Sequence, residues 1–142
     1  MNLKKFFMTR TYPTDLSVVL LLLRLYVGIA FMFHGYGKIQ NPMGWMGPDA
    51  PIPGVLLALA AISEFCGGLS LIIGLLFRLS TLGILCTMAV ATSFHLMHGD
   101  PAVNLTGGVS AEPAIVYLLL ALLLFVSGPG KFSLDSKIFG NK

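Results

Sequence analysis

Four apolar stretches, each near the length that crosses a bilayer, constrain this chain more than any other feature. A spanning helix needs about 20 mostly apolar residues, because it rises about 1.5 Å per residue through about 30 Å of hydrocarbon. The first three run over about 16–37 (LSVVLLLLRLYVGIAFMFHGYG), 54–77 (GVLLALAAISEFCGGLSLIIGLLF) and 79–98 (LSTLGILCTMAVATSFHLMH). The fourth, PAIVYLLLALLLFVS at 113–127, has 15 residues. That rises only about 22 Å, so its helix is expected to begin earlier, near Ser110. Composition agrees: 56% of the 142 residues are hydrophobic and 11% charged, where a soluble domain carries about 25% charged. Mean hydropathy is +0.85. Two cysteines exclude a disulfide scaffold. The pattern predicts an all-α membrane protein, a single membrane domain over 1–142 built as an antiparallel four-transmembrane-helix bundle with an interfacial tail at 128–142.

Charge sets the expected orientation. Four spans put both termini on one side with the short turn at Arg78, which gathers Lys4, Lys5, Arg10, Arg78, Lys131, Lys137 and Lys142. The other side has Lys38 alone. This is a positive-inside pattern, so both termini are expected in the cytoplasm. The net charge of +3 belongs to that asymmetry and offers nucleic acid no basic stripe with interleaved aromatics. No small-residue cleavage site follows the first apolar run, so it reads as an uncleaved helix and not a signal peptide. The first outer connection, NPMGWMGPDAPIPG, is a Pro- and Gly-rich loop, with Met43, Trp45 and Met46 expected on the membrane surface. After Gly128-Pro129-Gly130, Ser133 is placed to cap a short helix bearing Leu134, Ile138 and Phe139.

Ionisable residues inside spans are costly and mark candidate sites. Arg24 is expected about 12 Å from the cytoplasmic edge and Glu64 about 18 Å from the same edge. A snorkelling Arg24 closes that gap, so an Arg24–Glu64 ion pair is the economical arrangement. It serves either as glue between helices or as a proton or substrate site. His34, His95 and His98 fall near one depth on the outer side, with Lys38 beside them; His95 and His98 share a helix face. Imidazoles there suit a quinone head group, a haem iron or a divalent metal, or form a plain polar belt at helix ends. Haem held by His34 and His95 is the lesser fit, and no metal site is expected, since four closely spaced N or S ligands are missing. Cys66 and Cys86 read as buried small hydrophobes. Ser63, Gly67, Ser70 and Gly74 form a small-residue stripe for close helix packing, and Gly28, Gly35 and Gly37 do similar work on the first helix.

Taken in order, RLYVGIAFMFHGYGKI, EFCGGLSLIIGLLFRLS, a histidine closing the third helix and GPGKFSLD resemble the DoxX family of small four-helix bacterial inner-membrane proteins. The similarity covers about 23–136. Carried over by position, the family's polar signature falls on Arg24, His34, Gly35, Lys38, Glu64, Gly67, Gly68, Arg78 and His95. The resemblance implies a redox-associated membrane subunit in the bacterial inner membrane, binding a quinone-type molecule, with a redox partner that is soluble or membrane-bound. In that reading His34 or His95 bonds a carbonyl oxygen, with Lys38 and His98 beside them, Glu64 relays a proton and Arg24 sets its charge. Two alternatives stay open: an oligomeric permease or exporter of quinone-like aromatics, and a non-catalytic anchor for a soluble redox enzyme.

Overall fold

A computed structural model describes residues 6–140. Its helices, in chain order, are α1 (Thr14–Gln40), α2 (Gly54–Ile73), α3 (Phe77–Met97), α4 (Glu112–Ser127) and the short α5 (Leu134–Phe139). There is no β-strand among the described residues. The first three are long and apolar enough to cross a membrane, while α4 is apolar but shorter, at 16 residues. Consecutive helices pack side by side: α1 on α2, α2 on α3 and α3 on α4.

Helix ends depart from the expected positions for local reasons. Gly35 and Gly37 do not stop α1, which runs on to Gln40 before Asn41-Pro42 breaks it. Lys38 is therefore a helical residue. α2 stops at Ile73 and not at 77, because Gly74 takes a left-handed φ of 69°. The N–H groups of Gly74 and Leu75 both bond Ser70 O, at 2.8 and 3.2 Å, a helix-ending turn that glycine favours. α4 starts at Glu112, later than expected near Ser110. Ala111, fully buried, instead gives its N–H to Pro101 O at 2.9 Å, which ties it to the preceding loop. α5 forms as expected, its Ser133 hydroxyl accepting from Ser136 N at 3.2 Å.

Small residues decide which helices touch. A Cβ on Gly28 would lie 2.6 Å from Gly68 O, and one on Gly35 would lie 2.6 Å from Phe65 N, so α1 and α2 cross backbone on backbone. Gly37 faces open space. The stripe on α2 is used within the chain. Ser63 lies against Gly83, Gly67 against Ile84, and Ser80 Oγ donates to Ser70 Oγ at 2.7 Å. Leu20, Val27, Phe31, Leu71, Phe77, Ile84, Met88, Ala121 and Leu124 meet in one core drawn from four helices. Large apolar side chains such as Leu22, Leu59 and Leu119 point outward, as lipid-facing surfaces do. Cys66 and Cys86 are also exposed, on outward faces and not in the core. The expectation of buried thiols is therefore corrected: an apolar span has a lipid face as well as a packed one.

Candidate functional site

Arg24 and Glu64 do not pair. The guanidinium of Arg24, 2% exposed, donates from Nη1 to Pro129 O at 2.8 Å and from Nη2 to Phe132 O. It thus closes the tail after α4 against the end of α2, where a Cβ on Gly74 would lie 2.9 Å from Nη1. Glu64 sits near the middle of α2, about 14 Å of helix rise from that end. Direction separates the two further. Side chains lean toward the N-terminus of their own helix. α1 and α2 are antiparallel, so Arg24 leans toward the tail and Glu64 leans away from it.

The tail is held by a second buried charge. The Asp135 carboxylate accepts from Leu76 N at 2.8 Å and Phe77 N at 2.9 Å, capping α3. Its own N–H bonds Gly74 O at 2.9 Å. Leu76, at a φ of 48°, is a left-handed non-glycine residue whose N–H this carboxylate fixes. Burial pushes the Asp135 carboxyl above the ordinary aspartate range, against the pull of both N–H donors and of Arg24. Reading the sequence missed Asp135; the signal was the acidic residue two places after a capping serine.

The partner of Glu64 is Lys38. Its ammonium lies 2.7 and 2.6 Å from the two carboxylate oxygens, with side chains 26% exposed for Lys38 and 2% for Glu64. Both side chains lean into the gap between them, Lys38 back along α1 and Glu64 up α2. Trp45 covers the pair. Its ring centroid is 4.7 Å from the Lys38 ammonium, and its indole N–H donates to Leu57 O at 3.1 Å. The loop tryptophan expected on the membrane surface is instead turned inward, drawn by a cation and a carbonyl. Met43 does point outward, 63% exposed.

His34 stands one turn before Lys38 and is exposed. Its ring meets Tyr117 edge to face at 5.9 Å, and Tyr117 lies 5.0 Å from Phe31. Tyr117 was not singled out, since PAIVYLLL shows only an apolar helix. The other two histidines stay apart from this group. His95 Nδ1 lies 2.8 Å from Asp100 Oδ2 at the end of α3, and His98 bonds Phe94 O at 2.8 Å. The expected three-histidine cluster therefore divides, with His34 facing α4, His95 bonded to Asp100 in the following loop and His98 bonded back to α3. Among the described residues, no three His, Cys, Asp or Glu side chains gather to hold a metal.

Fold and site together define a small polytopic helical membrane protein with an ion pair buried between two spans. The family model for DoxX matches residues 19–99. The Escherichia coli protein named Inner membrane protein YqjF is 34% identical over 131 residues, spanning 84% of this chain and 91% of its own length. An uncharacterized Haemophilus influenzae protein is 31% identical over 118 residues, spanning 82% of this chain and 88% of its own. No solved structure matches. The chain belongs to the DoxX family.

Proposed function

We propose that the protein is a redox-associated component of the bacterial inner membrane, and that it holds the head group of a quinone-type molecule beside Lys38 and Glu64. The Lys38–Glu64 pair carries this reading. A carboxylate 2% exposed, midway along a span and bound to an ammonium beneath an indole, is an expensive arrangement in an apolar helix. The surrounding chemistry suits a flat ring with polar edges. Tyr117 and Trp45 offer ring faces, with the buried Phe31 packed behind Tyr117. The His34 imidazole, the Tyr117 hydroxyl and the Lys38 ammonium are donors for carbonyl oxygens. Glu64 is the proton acceptor for a quinol hydroxyl, and Lys38 takes the charge-balancing role first given to Arg24. His95, its Nδ1 committed to Asp100, provides a proton-exchange group at the end of α3. As the quinol loses its protons, its two electrons pass to a redox partner that accepts them. The excess of Lys and Arg at the tail end supports placing both termini in the cytoplasm, and the name of the Escherichia coli relative supports the inner membrane.

Trp45 is the sole tryptophan, so its emission reports on the site. Purified protein in mild detergent is titrated with a short-chain ubiquinone, beside a tryptophan ester in the same micelles. The expected result is saturable quenching beyond that of the ester, weakened at least tenfold in His34→Ala. Quenching that tracks the ester at every concentration overturns the reading. A dithionite-reduced minus air-oxidised spectrum of the same preparation shows whether a quinone co-purifies.

A further inference from the structure

Two arginines lie at the tail end of the bundle, each with a buried Nε that has no hydrogen-bond partner, and they differ at their Nη groups. Arg24 is wrapped by carbonyls. Arg78, the second residue of α3, has a buried Nε with no hydrogen-bond partner, and its guanidinium has no acceptor or carboxylate partner among the described residues. The neighbouring carboxylate, Asp135, is already spent on two backbone N–H groups. Arg78 instead lies 5.9 Å over the Phe6 ring, with Nη2 beside Gly128 at the end of α4, 3.9 Å from where its Cβ would be. The residue is only partly buried, so the fork stays open to a ligand. Exposed apolar side chains stand on the same two helices: Leu82, four residues after Arg78 on α3, is 39% exposed, and Val126, two residues before Gly128 on α4, is 52% exposed.

A planar, permanently charged fork with unmatched donors is suited to a phosphate oxyanion. At the boundary of an apolar surface, the molecule that supplies such a group together with acyl chains is an anionic phospholipid. We propose that Arg78 seats the phosphate of an anionic lipid, with the acyl chains along Leu82 and Val126. This is independent of the Lys38–Glu64 site. It assigns a task to an arginine of the GLLFRLS segment that the quinone reading leaves unused.

The test is native mass spectrometry of the full chain released from mild detergent, with equimolar phosphatidylglycerol and phosphatidylcholine. Wild type should retain one phosphatidylglycerol in at least tenfold preference. Arg78→Gln should lose that preference, Arg78→Lys should keep part of it, and Lys131→Gln, which removes a charge at the same end, should keep it in full. Displacement by millimolar inorganic phosphate assigns the seat to phosphate in general, and resistance to displacement assigns it to the lipid. Equal retention of the two lipids by wild type overturns the proposal. So does unchanged preference in Arg78→Gln, or equal loss in Lys131→Gln. If Arg78→Gln does not fold, the wild-type preference and the Lys131→Gln and Arg78→Lys comparisons still decide it.

Discussion

Replacing Lys38 by methionine tests the ion pair most directly, because the two partners differ in exposure. Lys38→Met keeps much of the apolar stem under Trp45 but leaves the Glu64 carboxylate, 2% exposed, without its cation. Removing one member of a buried pair costs about 3–5 kcal/mol. Glu64→Gln is the milder change. It leaves an ammonium 26% exposed, two residues from the end of α1, which can turn toward water. That costs about 1 kcal/mol. The double variant leaves an under-bonded amide beside a thioether, at about 1–2 kcal/mol. The singles together therefore lose about 3 kcal/mol more than the double does. Unfolding of each purified variant by dodecyl sulfate in mixed micelles, followed by circular dichroism, gives the four free energies. Equal losses in the two single variants, or a double equal to their sum, would refute a buried pair at this position.

Two further outcomes follow from the packing and from the tail. Gly68→Ala places Cβ 2.6 Å from Gly28 O and 2.9 Å from Met32 N, both backbone atoms of α1. It should cost about 1–3 kcal/mol, whereas Gly37→Ala meets nothing within 4 Å and should gain up to about 1 kcal/mol of helix preference; equal stability of the two in the same unfolding assay contradicts the close crossing. The folded-state pKa of Asp135 is raised, so the stability this group gives is fully present below the ordinary aspartate value of about 3.9 and is lost as pH rises through the raised value. The melting temperature of wild type relative to Asp135→Asn should accordingly be highest in acid and decline toward neutral pH, and a difference that is flat or grows with pH sinks this account.

The spans were legible because hydrophobic length is a one-dimensional property. Three stretches of the sequence became helices able to cross a membrane, within a few residues of where the apolar runs begin and end. Their ends were less legible, since they depend on single backbone events. One is the left-handed Gly74; another is the Ala111 N–H taken by Pro101 O. Helix contacts were partly legible. Gly28 and Gly35 do mark the crossing with α2, but nothing local distinguishes them from Gly37, which faces open space.

Pairing of charges failed for a reason that recasts the site. Depth along an axis made Arg24 and Glu64 near neighbours, but depth ignores the lean of the side chains, and that lean has opposite sense in antiparallel helices. Arg24 reaches the carbonyls of Pro129 in the Gly-Pro-Gly turn and of Phe132 just after it, more than 100 residues away in sequence. No periodicity signals that partnership. Once Arg24 is committed to the tail, Glu64 needs another cation, and the one leaning toward it from α1 is Lys38. The same geometry brings Trp45 inward, because the ammonium that meets the carboxylate also offers its charge to the indole. The two buried charges of the spans thus divide the labour. Arg24 with Asp135 closes the tail end, and Glu64 with Lys38 holds its charge between α1 and α2.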